Sequence, residues 1–278
     1  MEDSRGEKIK RFCGLRHPSR FGASKQRLPE YANKAFELDK ESSDGQFVSG
    51  LLEITGGDAR KGISHFKKVL QKSPNHANAL QWITLVYSLL GISDEAYSYL
   101  NRLSQVDPFT PKNMVPTFIN IWTGEFELAE KESGLLGSDD FSLLIKTWAL
   151  MYNRKFEEAL SVFNIVSEFS KNSYMSRATL MLINACLRKD AEVIRLIDNK
   201  YLLWAKKDFQ YSLFAAETYS MLNYKSDALE WIENSINHGY INYPFLNNYD
   251  PLLENIRGEE RFKKLMERVK YEWENFEA

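Results

Sequence analysis

The sequence predicts an all-α fold, an α-solenoid in which helix hairpins stack one on the next and a C-terminal helix caps the end. Three observations carry this. Two consecutive segments, GQFVSGLLEITGGDARKGISHFKKVLQKSP ending at Pro74 and ANALQWITLVYSLLGISDEAYSYLNRLSQVDP ending at Pro108, close with the same residue at a step of 34. At that step Gly57 meets Gly91, Gly62 meets Ala96, Phe66 meets Leu100 and Val69 meets Leu103, each small or apolar in both copies. A fixed period of this length marks stacked supersecondary units, each too small to bury its own apolar face. Nowhere does a useful stretch alternate apolar and polar residues as a half-buried strand does.

Composition bounds the alternatives. The 278 residues are 44% hydrophobic and 27% charged, with eight Pro and fourteen Gly, as expected of a well-packed helical chain. A formal net charge of -2 gives no overall drive toward nucleic acid or anionic lipid. Cys13 and Cys186 form no CxxC and no Asn-x-Ser/Thr sequon is present, so a reducing cytoplasm is expected. MEDSRGEKIKRF is charged throughout, and the richest apolar run, Ile83 to Leu90, is broken by polar residues; neither an export signal nor a membrane span is expected.

Three regions follow in order. Residues 1–28 carry eight basic side chains against three acids, about +5, and form a basic, flexible arm without helical period. The solenoid runs over 29–250 as about six repeats, the first incomplete: YANKAFELDK, residues 31–40, matches only the second half of a repeat. In the clear units small residues mark the crossing of each hairpin, Gly50 with Gly62 and Thr84 with Ala96, with Tyr87 filling the space beside it. Gly57 and Gly91 end first helices, and the terminal prolines stop second ones. Ala129 and Ala159, with Phe163, place two further second helices; Ala216 and Tyr219 precede a last one at Ala228. One repeat is hidden between, with helices at Tyr174–Leu187 and Ala191–Leu203 and apolar positions Met181, Leu182, Ala185, Ile194 and Ile197. Residues 251–278 are capping helices. Asp250 N-caps a short helix opened by Pro251 and ended by Gly258, and a longer helix presents Phe262, Leu265, Met266, Val269, Trp273 and Phe276 on one side.

The 34-residue period, the small residue followed at a gap of three by a large apolar one, and the closing proline resemble the tetratricopeptide repeat. The resemblance implies a right-handed superhelix. The tail ALEWIENSINHGYINYPFLNNYDPLLENIRGEERFKKLMERVKYEWENFEA resembles the closing segment of repeat regions attached to bacterial serine/threonine kinases, adenylate cyclases and winged-helix regulators. It implies a non-catalytic docking or sensing part, either a freestanding scaffold or a detached regulatory region of a signalling protein. In such proteins the first helix of each repeat lines a concave groove. The corresponding positions here are Phe47 and Leu51, Gln81 and Leu85, Met114 and Phe118, then Leu144 and Trp148. Nearly all are apolar, and none is the Lys, Arg or Asn that forks onto a carboxylate, so the implied partner is an apolar or amphipathic helix rather than an acidic tail.

Motifs for chemistry are absent from the sequence: there is no GxGxxG, GxxxxGK[ST], HExxH, GxSxG, HRD or DFG. His17, His65, His76 and His238 are scattered without metal-ligand spacing and read as surface or capping residues. Cys186 lies in the apolar run ATLMLINACL and reads as a buried thiol. The acidic run Glu125, Glu127, Glu130, Glu132, Asp139 and Asp140 reads as a solvated face with an N-cap. The reading is therefore a protein-binding scaffold with no catalytic residue, cofactor or metal. Nucleic-acid tethering through the basic arm is the weaker alternative.

Overall fold

The computed structural model describes residues 42–107 and 114–278, together with the helical, exposed Asn33, Lys34 and Glu37. The arm at 1–28, most of the half-repeat at 31–40, and Pro108 lie outside the described residues. Within them the fold is all-α, with no strand. Six hairpins succeed one another: α1 (Ser43–Thr55) with α2 (Ala59–Lys72), α3 (Ala77–Leu89) with α4 (Ser93–Val106), α5 (Met114–Trp122) with α6 (Phe126–Ser133), α7 (Asp140–Tyr152) with α8 (Phe156–Ile165), then α10 (Tyr174–Cys186) with α11 (Asp190–Leu196), and α13 (Phe209–Met221) with α14 (Lys225–Asn237). Among the described residues no helix is long and apolar enough to cross a membrane.

The predicted crossings are real close approaches. A Cβ on Gly50 would stand 2.5 Å from the Phe66 ring, and one on Gly62 would stand 2.3 Å from Ile54 Cδ1. In the next hairpin Thr84 and Ala96 are fully buried, and Tyr87 stacks on Tyr99 at 5.8 Å. Thr84 satisfies its hydroxyl on the Leu80 carbonyl at 2.7 Å, which lets a polar residue occupy the crossing.

Every first helix stops in the same way. Residues 57, 91, 124, 154, 188 and 223 all have positive φ. Each donates its N–H to the carbonyl three residues back, and the next residue donates to the carbonyl five back, as in Asp58 to Glu53 at 2.9 Å and Tyr224 to Tyr219 at 2.9 Å. This is the Schellman motif, which satisfies the last carbonyls of a helix and turns the chain sharply. The hairpins are thus built on one repeated joint.

The fifth unit departs from the expectation. The helix predicted over Ala191–Leu203 is two short ones, α11 ending at Leu196 and α12 (Asn199–Ala205), because Ile197 is extended and Asp198 caps the second through Tyr201 N at 2.7 Å. Arg177 holds the break open, binding the Leu196 carbonyl at 2.6 Å and Asp198 Oδ2 at 2.6 Å. Consequently Val193 is the buried residue and Ile194 is 62% exposed, whereas Met181, Leu182 and Ala185 of α10 are buried as predicted. A short helix, α9 (Glu168–Lys171), precedes this unit and was not legible.

The C-terminal region is more than a cap. Asp250 accepts from Leu252 N at 2.8 Å and so caps a turn, and the short helix α15 (Glu254–Arg257) begins only after it. Before it, Phe245–Tyr249 form a single π-helical turn. The last helix, α16 (Glu260–Glu274), buries Phe262, Leu265, Met266 and Val269 as predicted, while Trp273 and Phe276 are half-buried. Its start lies on the last hairpin, through Lys225–Glu259 at 2.7 Å and Arg268 to Asn237 at 2.7 Å. Its end lies on the first two. Trp273 Nε1 donates to the Gly91 carbonyl at 3.3 Å, Arg60 stands 5.1 Å over the Phe276 ring, and Lys67 binds the Ala278 carbonyl.

Candidate functional site

The segment Tyr240–Arg257 runs across the turns that end the first helices. It starts at the first hairpin, where a Cβ on Gly239 would be 2.6 Å from the Gly57 carbonyl oxygen. Asn242 then donates to the Trp122 carbonyl at 3.1 Å and receives Phe245 N at 3.1 Å, while its side chain crowds Gly91. Tyr249 packs on Gly124, Arg154 pairs with Glu254, and Asn255 donates to the Ser220 carbonyl at 2.8 Å. The chain's own tail therefore covers the C-terminal ends of the first helices from hairpin to hairpin.

Trp122 is the apolar centre of this contact. Its ring stands 5.0 Å from Phe245, 5.8 Å from Tyr152 and 6.3 Å from Tyr240, all edge-on, the preferred aromatic geometry. Beside it lies a buried polar cluster. Tyr152 OH donates to Glu217 Oε1 at 2.8 Å, and the Glu217 and Asp250 carboxyl groups lie against each other, while Glu217 Oε2 and Asp250 Oδ2 receive no donor. Two ionised carboxylates offer only acceptors, so this contact is a hydrogen bond only when one of them carries a proton. Burial, then the partner's negative charge, pushes Glu217 well above the ordinary carboxylate range. Burial pushes Asp250 up as well, to about 6, against the pull of the Leu252 N–H and Arg257. Burial thus favours a proton on the pair.

Neighbouring groups reinforce the neutral state. Burial raises the Tyr152 and Tyr240 hydroxyls and the Cys186 thiol, and the Glu217 and Asp250 charges add to each shift. Arg257 anchors the cluster by donating to the Asp250 carbonyl at 2.5 Å. Glu217 and Asp250 are both fully buried, so the arrangement can share a proton and fix the tail but offers no face to a solvent-borne molecule.

The eight groove positions fall one turn before this contact on their helices. Phe47, Leu51, Met114, Phe118, Leu144 and Trp148 are buried, and Gln81 and Leu85 are half-buried. The structure brings Phe118 and Trp148 together at 5.9 Å, and Trp148 continues on to Phe214 at 5.4 Å, its Nε1 donating to Thr179 Oγ1 at 2.9 Å. Of the other singled-out residues, His76 N-caps α3 through Ala79 N at 3.1 Å, and Asp139 caps α7 through Ser142 N. Cys186 is buried, and Glu130 binds Lys155 at 2.6 Å. Among the described residues no three His, Cys, Asp or Glu side chains converge on a point that could hold a metal ion.

Sequence reasoning missed Glu217, Tyr152, Tyr240 and Asn242. The one available signal was an acid amid apolar residues in FQYSLFAAETYSM, a position where an unpartnered carboxylate would be costly. A scan against protein-family models and a search of curated proteins returned no match. The fold is accordingly defined by its geometry: an all-α stack of helix hairpins, closed by its own tail.

Proposed function

We propose that this chain is a non-catalytic protein-interaction scaffold of the tetratricopeptide type, working in a reducing, cytoplasmic setting. The observation that carries the reading is the recurrence of one hairpin joint, the same Schellman turn at residues 57, 91, 124, 154, 188 and 223, spaced close to the 34-residue period. A stack of equivalent units multiplies surface. The sealed Glu217–Asp250 pair supports it too, because the most strongly perturbed titratable groups have no route to a substrate. A partner helix meets the chain where the inner stripe stays accessible, at Gln81 and Leu85, held by few anchors as interfaces usually are.

Affinity capture from the native cell, followed by mass spectrometry, tests this with Leu85→Asp beside Leu135→Asp/Ile165→Asp at the ends of the second helices. The latter pair is 66% and 67% exposed and occupies equivalent positions in adjacent hairpins. Loss of one defined partner with Leu85→Asp, at unchanged helix content, is the expected result, although the melting temperature falls because Leu85 is half-buried against the core. Loss only with the outer pair would keep the scaffold and move its surface. A capture profile indifferent to both would sink the reading.

A further inference from the structure

We propose that the segment Tyr240–Arg257 is a pH-sensitive latch, held across the C-terminal ends of the first helices by one proton shared between Glu217 of α13 and Asp250 of the segment. The latch stands independently of the interaction reading. Its geometry is a joint of three elements: Tyr152 from α7 donates to Glu217 Oε1, and the Asp250 carboxyl of the segment lies against the Glu217 carboxyl. Both carboxyl groups are fully buried, and Glu217 Oε2 and Asp250 Oδ2 receive no donor. A second proton is unnecessary because Asp250 Oδ1 already accepts Leu252 N at 2.8 Å; with no proton, two buried negative charges oppose each other.

Every charged or titratable group facing the pair leaves this proton in control. Tyr152, Tyr240 and the Cys186 thiol stay neutral through the range in which carboxyls titrate, since burial raises all three. Arg257 and Arg154 are permanently cationic; Arg257 lies by Asp250, and Arg154 stands at the edge, paired with the exposed Glu254. Both carboxyls are raised in the closed state. Their contribution is therefore complete below the ordinary carboxylate range and is lost as pH rises, through about 6 for Asp250 and higher for Glu217. Opening frees a carboxyl to ionise in water, releasing a proton. The opening constant then rises roughly tenfold per pH unit for each proton released, until Glu217 ionises in place.

Hydrogen exchange of the full chain, followed by mass spectrometry at about pH 6, 7 and 8 and corrected for intrinsic exchange, reads that constant. The expected wild-type result is a rise of about tenfold per pH unit in opening for peptides spanning 242–257, with little change in α3 or α8. Glu217→Gln supplies the same hydrogen bond from an amide and should hold the segment closed, with a slope under about twofold per unit. Should that variant fold poorly, the double variant Glu217→Gln/Asp250→Asn removes both titrating groups, keeps an acceptor for Leu252 N and gives the same flattening. A flat wild-type profile overturns the latch. So does a wild-type slope in both variants, or a pH response spread evenly over all hairpins.

Discussion

At the scale of single residues, the six hairpin joints use three chemistries for one backbone conformation. Gly57, Gly91 and Gly124 adopt it freely, whereas Arg154, Arg188 and Asn223 hold φ near +60°. That is why the joints at Gly57 and Gly91 could be read from the sequence while those at Arg154, Arg188 and Asn223 could not. A glycine in the sequence announces a left-handed residue; an arginine does not. The left-handed conformation costs a non-glycine residue about 1–2 kcal/mol, and an exposed ion pair such as Arg154–Glu254 returns about 0–1. Arg154→Gly should accordingly be neutral to slightly stabilising in chemical denaturation. Gly91→Ala must go the other way. A Cβ there would stand 2.2 Å from Asn242 Oδ1, in addition to the strain of φ +72°, so a loss of about 2–3 kcal/mol is expected. Gly258→Ala is the control, since nothing lies within 4 Å of the added methyl and φ is -77°; a change within about 1 kcal/mol is expected. Equal losses from the two alanines would refute the crowding at Gly91.

At the scale of elements, hairpins were read from small-residue crossings, and this worked wherever the second helix is one continuous run. It failed where a polar cap interrupts an apolar period. In DAEVIRLIDNKYLLWA the spacing of Val193, Ile194, Ile197 and Leu202 suits one helix, yet Asp198 competes for the backbone N–H of Tyr201 and ends it. The Tyr201 N–H and Arg177 hold the Asp198 carboxyl below its ordinary range. Its contribution is present above that range and disappears as pH falls into it. Asp198→Ala should therefore lower the melting temperature near neutral pH but not in strong acid. An equal drop at both pH values would show that the carboxylate does not hold the break. The tail was misread for a related reason. Asp250-Pro251 has the form of a helix start, but the helix does not begin until Glu254, because the Asp250 side chain and backbone are committed to Leu252, Glu217 and Arg257.

For the whole molecule, the decisive contact is long in sequence and silent in it. Helical period showed that α16 has an apolar side, and the expectation was a lid on the last repeat. Nothing in a linear pattern tells that the far end of that helix meets Gly91 and Arg60, because those partners are a backbone carbonyl and a guanidinium that lies over the Phe276 ring. The candidate site was illegible for the same reason, since Tyr152, Glu217 and Asp250 converge from three separate elements, Tyr152 and Glu217 being 65 residues apart. An open solenoid transmits stability only between neighbours, so damage at its C-terminal end stays there. A stack closed by its tail behaves differently. Trp273→Ala/Phe276→Ala removes the contacts of α16 with the first two hairpins and leaves Phe262, Leu265, Met266 and Val269 on the last one. Amide protection should fall in α1–α4, about 180 residues upstream of the substitutions, while α13 and α14 keep theirs. Protection lost in α13 and α14 alone would mean that α16 is a terminal lid and the stack stays open.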